Sequence, residues 1–237
     1  MPTAAAAGRP ARFYCEGETL STAKRNAASR WVSRGAETLS NPLPEAIAAL
    51  GRGAEPVWIF AYGSLIWEPD FHYVEAEPGL LRGWHRSCCL YSFDYRGTPE
   101  RPGLVLGLDA GGSCRGIAFR LAPGGLAGSL ERLWRREMTV PPVYDVRRLA
   151  IATRRGTLTA LAFTVRRDRG DYAGRLPLEV AARLIAQARG RRGTCRDYLD
   201  KTLAHLAAQG IVDAPLRRLA ERVAEISAET AAGRMCP

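Results

Sequence analysis

The order of the regular segments constrains this chain most: runs of strand formers come early, and the long amphipathic stretches, with one exception, come late. Residues 57–62 (Val-Trp-Ile-Phe-Ala-Tyr) form a short apolar run stopped by Gly63-Ser64, the pattern of a buried strand ending in a turn. Further strands are expected at 87–93, 103–108 and 114–121. The turn-rich segments Arg96-Gly97-Thr98-Pro99 and Asp109-Ala110-Gly111-Gly112 separate them. Residues 149–153 and 157–164, joined at Arg155-Gly156, read as a hairpin. Helices are expected at 129–138 and at 178–189, the second stopping before Gly190. Another over 194–209 opens on a Thr-x-x-Asp cap (Thr194, Asp197) and ends at Gly210. Asp213 then caps a last helix with Leu216, Leu219, Val223 and Ile226 on one face. Strands first and helices last define an α+β domain, a small closed or half-closed sheet with helices against it. Residues 1–56 read as a partly ordered N-terminal extension with a short helix near 45–50, and 57–230 as the domain proper.

Charge and cysteine usage narrow the function. The formal charge is +10, but Lys24 and Lys201 are the only lysines, and the arginines are interleaved with acids, as in Arg166-Arg167-Asp168-Arg169. No aromatic-interleaved basic stripe accompanies them, so no nucleic-acid partner is expected; the field would attract a small anion instead. The six cysteines (Cys15, Cys88, Cys89, Cys114, Cys195, Cys236) make no C-x-x-C pair and have no histidine cluster beside them, so no metal site is expected. Reduced, buried thiols in a cytoplasmic protein are the expectation. No apolar stretch approaches the length of a membrane span, and residues 1–40 hold no apolar signal region.

Two features carry chemistry. In Tyr62-Gly63-Ser64-Leu65 a strand breaks into a turn whose successive N–H groups suit a carboxylate or another small anion, and a plain β-turn is the alternative. In the 129–138 helix the apolar positions are Leu130, Leu133 and Trp134, and Glu137 falls on their face, four past Leu133 and three past Trp134. A carboxylate turned inward acquires the raised pKa that a general base needs; the alternative is a solvated glutamate at a frayed helix end. His72, His85 and His205 are dispersed, and Ser64 lacks the G-x-S-x-G elbow of a serine hydrolase. No phosphate-binding loop or dinucleotide fingerprint is present.

Five blocks, in order, resemble the ChaC-type γ-glutamylcyclotransferases. They are Tyr62-Gly63-Ser64-Leu65-Ile66-Trp67 with Asp70-Phe71; Arg96-Gly97-Thr98 with Pro102-Gly103-Leu104-Val105; Cys114 to Phe119; Leu133 to Met138; and Gly190-x-x-Gly193 with Asp197-Tyr198-Leu199. The resemblance implies a small mixed β-barrel flanked by helices, no metal or organic cofactor, and cyclisation of the γ-glutamyl group of glutathione to 5-oxoproline. It implies Glu137 as the acid/base and Tyr62, Gly63, Ser64 and Leu65 as the loop that holds the γ-glutamyl group. Where some relatives follow the glutamate with Gly-Gly-Tyr, this chain reads Met138-Thr-Val-Pro-Pro-Val-Tyr144, and Tyr144 takes the tyrosine position. Cys195 stands where relatives of the eukaryotic type place an asparagine. Other γ-glutamyl amines as substrates, or a binding protein without catalysis, are the alternative readings.

Overall fold

The computed structural model describes residues 45–138 and 142–233. Most of the expected N-terminal extension lies outside them. Its short helix, α1 (Glu45–Leu50), lies within.

Five strands close into a barrel: β1 (Trp58–Ala61), β2 (Tyr73–Ser92), β3 (Gly103–Leu121), β4 (Tyr144–Thr153) and β5 (Gly156–Val165). Neighbours run in the order β1-β3-β2-β4-β5, and β5 returns to pair with β1 and β3. β1 is antiparallel to β3 and parallel to β5, meeting the latter at Ile59 and Leu161. The β2–β3 hairpin is the largest piece: the strand expected at 87–93 is the end of β2, and those expected at 103–108 and 114–121 form the single strand β3. β2 reaches back to Tyr73 instead of beginning at 87, because residues 73–86 keep a polar face outward and never form an apolar run. The segment 109–112, expected as a turn, stays inside β3. Gly111 (φ 102°) and Gly112 (φ 68°) face Gly83 (φ 80°) across a register shift between Arg82 and Trp84, so the turn residues make a bulge that bends the hairpin.

Helix α2 (Leu126–Glu137) links β3 to the segment before β4. Leu126, Ser129, Leu130, Leu133 and Trp134 are buried along one face, with the spacing of an amphipathic helix. Full burial of leucines such as Leu130 and Leu133 contributes about 1.5–3 kcal/mol each. Three helices follow the barrel: α3 (Leu178–Gln187), α4 (Cys195–Ala208) and α5 (Ala214–Gly233). The expected caps are in place, with Asp197 N–H donating to Thr194 Oγ1 (3.0 Å) and Leu216 N–H to Asp213 Oδ1 (3.0 Å). Helix α3 stops two residues before 189, because Arg189–Gly190 (β6) turns through Gly193 (φ 105°) to pair with Gly193–Thr194 (β7). One apolar core joins the barrel interior (Phe60, Leu104, Ile117, Ile151) to Leu184 of α3 and Leu199 of α4. No helix among the described residues is long and apolar enough to cross a membrane.

Candidate active site

Strand direction brings the relevant residues to one rim. Ala61 ends β1, Val165 ends β5, Ser92 ends β2, Tyr144 begins β4 and Gly103 begins β3, and a cleft opens where these ends meet. Tyr62, Gly63, Ser64, Leu65, Glu137 and Tyr144 all line it.

Past β1 the chain makes one 3₁₀ turn (Ser64–Ile66). Ile66 N–H donates to Gly63 O (3.0 Å), Trp67 N–H to Ser64 O (3.1 Å) and Glu68 N–H to Ser64 O (2.8 Å). The preceding amides, of Gly63, Ser64 and Leu65, donate to no acceptor among the described residues. Orphan donors at the start of a turn attract negative charge. Tyr62 O is fixed from below by Arg86 Nε (2.5 Å), whose Nη1 meets Asp213 Oδ2 at 2.6 Å and whose Nη2 donates to Arg115 O (2.6 Å). Tyr62 itself is buried, and its hydroxyl donates to Phe163 O (2.8 Å), tying β1 to β5.

Glu137 is the last residue of α2, on the helix's buried face as the spacing predicts, with a side chain 14% exposed. Burial pushes its carboxyl above the ordinary glutamate range. Asp70 and Glu68 push the same way, while Arg136 and Arg192 pull it down without cancelling the burial. The negative end of the helix dipole also disfavours a carboxylate there. Oε1 is 3.2 Å from Arg136 Nε, and Oε2 has no protein donor among the described residues. Arg136 fastens this corner: Nη1 donates to Glu68 O (2.5 Å) and Nη2 to Ser64 Oγ (2.9 Å). Ser64 is therefore an acceptor for an arginine, with no histidine beside it.

Three phenols share the cleft with the carboxylate. Tyr62, Tyr144 and Tyr198 are held protonated, each pushed up first by burial and then by neighbours that include Glu137. Tyr144 O–H reaches Leu106 O at 3.5 Å, and Tyr198 OH accepts Leu106 N–H at 3.2 Å. Thr139, Val140 and Pro141, in the loop between Glu137 and Tyr144, lie outside the described residues.

The facing wall combines the 93–102 loop with the β6–β7 hairpin. Arg191 and Arg192 N–H donate to Asp94 O and Tyr95 O (3.0 Å each), and the two guanidinium groups lie 4.3 and 4.8 Å from the Tyr95 ring centroid. A Cβ at Gly190 would lie 2.2 Å from Asp94 O, and one at Gly97 2.2 Å from Gly103 N, so only glycine permits this backbone approach. Cys195 does not face the cleft. It is fully buried, its thiol donates to Leu104 O (2.9 Å) and accepts from Leu104 N–H (3.3 Å), and burial raises its pKa to about 12.

All six residues singled out in the sequence thus meet at one cleft. Arg136, Arg192 and Tyr198 were not singled out. Their signal lay in the Leu133 to Met138 block and in the Gly190-x-x-Gly193 and Asp197-Tyr198-Leu199 blocks, but reading it required knowing which way each side chain turns. Among the described residues no three His, Cys, Asp or Glu side chains are grouped to hold a metal ion.

A crystal structure of a yeast "gama glutamyl cyclotransferease specific to glutathione" superposes with a TM-score of 0.66 over 72% of this chain and 96% of that one, at 22% identity. The protein thus shares the fold of that barrel. A family model described as "ChaC-like protein" matches residues 57–226, and the chain belongs to that family. "Glutathione-specific gamma-glutamylcyclotransferase" of Escherichia coli (strain K12) is 37% identical over 175 residues, 73% of this chain and 75% of that protein. "Gamma-glutamylcyclotransferase 2-3" of Arabidopsis thaliana is 32% identical, covering 73% and 92%. "Glutathione-specific gamma-glutamylcyclotransferase 1" of Homo sapiens is 31% identical, covering 68% and 75%.

Proposed function

We propose that this protein is a glutathione-specific γ-glutamylcyclotransferase, acting in the cytoplasm, that converts glutathione to 5-oxoproline and Cys-Gly with Glu137 as acid and base. The names of the bacterial and animal relatives support the substrate. One observation supports the site: a largely buried carboxylate, one oxygen of which no described residue engages, shares a cleft with the amides of Gly63, Ser64 and Leu65, which have no acceptor among the described residues.

The α-amine of the γ-glutamyl residue is an ammonium at neutral pH. Glu137, ionised, takes one of its protons, and the freed nitrogen attacks the γ-carbonyl carbon of the same residue. The carbonyl electrons move onto oxygen, where the orphan amides of the 62–65 turn stabilise the charge. Collapse of the tetrahedral species breaks the bond to the cysteine nitrogen, which takes the proton that Glu137 returns; the ring nitrogen, cationic after its attack, gives up its second proton to Glu137, and that proton too passes to the Cys-Gly amine, which departs as an ammonium. Nucleophile and electrophile belong to one molecule, so holding the bent conformer supplies much of the acceleration. Tyr144, held protonated in the same cleft, lines the site without adding charge. The chemistry needs no cofactor: proton transfer and acyl transfer within one substrate complete it.

The test is incubation of the purified protein with glutathione and mass spectrometry for 5-oxoproline and Cys-Gly, beside Glu137→Gln. Both products from the wild type and neither from the variant are expected. A folded wild type that releases neither excludes glutathione as substrate.

A further inference from the structure

Arg96 is a buried cation that makes no ion pair among the described residues. It stands in the 93–102 loop, lines the cleft and is 7% exposed. Nη1 donates to the carbonyls of Arg192 (2.6 Å) and Thr194 (3.4 Å). Its Cζ lies 5.4 Å from the Tyr198 ring centroid and 6.0 Å from that of Trp67. Glu68 is paired with Arg136 and Arg192, Glu137 with Arg136 and Asp94 with Arg191, while Asp197, whose carboxylate also lies near Gly193, is beyond ion-pair distance of Arg96. Nε and Nη2 of Arg96 have no acceptor among the described residues.

Holding a guanidinium out of water on carbonyls and aromatic faces is costly unless an anion completes the site. The free edge is a rigid two-donor fork, matched in geometry to a carboxylate. Its mounting is stiff, because the loop and the β6–β7 hairpin are locked by the Gly97 and Gly190 contacts and by the two arginines on Tyr95. The charges acting most strongly on Glu137 are Arg136, Arg192, Asp70 and Glu68. Glu137 is paired with Arg136 on α2, whereas Arg96 is held by carbonyls of the β6–β7 hairpin on the facing wall.

We infer that Arg96 binds the C-terminal carboxylate of the departing peptide, making it a specificity-determining residue for substrates that end in a free acid. This rests on the cyclotransferase reading, in which the α-amine lies at Glu137 and the opposite end of the peptide extends toward the facing wall. The amides of the 62–65 turn serve the γ-glutamyl end, and Arg96 serves the other.

The experiment compares glutathione with its C-terminal amide on wild type, Arg96→Gln and Arg96→Lys, recording kcat and KM separately. Each variant's fold is checked by thermal unfolding. Charge-assisted hydrogen bonds of this kind predict a wild-type preference for the free acid of roughly 10–100-fold in kcat/KM. In Arg96→Gln that preference collapses to within about threefold of unity, the loss falling on KM for glutathione, as removal of uniform binding requires. Arg96→Lys, which keeps the charge but not the fork, retains part of it. If Arg96→Gln lowers kcat/KM for both peptides by the same factor, the residue only packs and the inference is overturned. It is equally overturned if the preference Arg96 confers follows the α-carboxylate of the γ-glutamyl residue. Calorimetric binding of both peptides to Glu137→Gln, with and without Arg96→Gln, separates this inference from the reading beneath it. Absence of 5-oxoproline from the wild type defeats the cyclotransferase reading, whereas equal affinity for acid and amide defeats the role of Arg96.

Discussion

Glu137 combines two properties that are at odds in an ordinary helix, a charge at the unfavourable end of the dipole and burial on the apolar face. Both are what the proposed role of general base would require, since such a carboxylate must be desolvated to work. Glu137→Gln is expected to lower kcat by about 10²–10⁴-fold with an unchanged circular dichroism spectrum. The same change should raise Tm at neutral pH. A carboxyl whose folded pKa lies above its unfolded value stabilises the fold fully below the unfolded value, and that stability is lost as pH rises through the folded one. Glutamine escapes that loss, so the gain in Tm should fade once the pH falls below the unfolded glutamate value of about 4.3. A Tm unchanged at every pH would mean that Glu137 is not desolvated. The acid limb of kcat/KM should lie above the ordinary carboxylate range, since the reaction begins from the ionised form. Arg136 pulls the pKa of Glu137 down. Arg136→Gln should therefore move that limb to higher pH, alongside any loss of rate from releasing Ser64. A limb that stays put or moves down would assign it to another group.

At the scale of elements, the 62–65 turn hangs on a side chain outside the cleft. Arg86 of β2, its side chain 3% exposed, holds Tyr62 O, Arg115 O and the carboxylate of Asp213, which also caps α5. Asp213→Ala removes the cap, about 1 kcal/mol. It also leaves a buried guanidinium without its partner, so destabilisation by about 3–5 kcal/mol in urea unfolding is expected. Asp213→Asn keeps the cap acceptor and should fall between wild type and alanine. A loss under about 1 kcal/mol for alanine would reduce Asp213 to a helix cap. The cap was legible in the sequence because capping is local; its partner Arg86, 127 positions away, leaves no local sign. The same distinction explains the strands. β1, the later half of β2 and the β4–β5 hairpin were legible from apolar runs and turn residues. The earlier half of β2 alternates too weakly to be seen, and Gly111-Gly112 looks like any turn until Gly83 stands opposite it. The inward turn of Glu137 was legible from helical spacing alone, whereas its neighbours Arg136 and Arg192 depend on how three separate elements meet.

The whole molecule is a barrel whose closure sets the spacing of its rim, and closure rests on little. β2 and β4 share three paired positions, Gly79 with Thr153, Leu80 with Ala152, and Leu81 with Ile151. β4 begins at Tyr144, so the seam that seats β4 on β2 also seats one wall of the cleft. A Cβ on Gly79 would lie 2.4 Å from Cγ2 of the fully buried Ile151, so the two strands approach this closely only because residue 79 has no side chain. Gly79→Ala should therefore destabilise by about 1–3 kcal/mol, the usual cost of overpacking. It should also lower kcat/KM by shifting β4 and Tyr144 away from Glu137. Ile151→Ala alone leaves a cavity and should cost about 2–5 kcal/mol. In the double variant the new methyl occupies space that Ile151 vacates, so the combined cost should fall short of the sum by at least about 1 kcal/mol. The kcat/KM of the double variant should recover toward that of Ile151→Ala. Additive stabilities would show that the seam tolerates a methyl at position 79 by some other movement, and would remove barrel closure as the link between that glycine and the geometry of the rim.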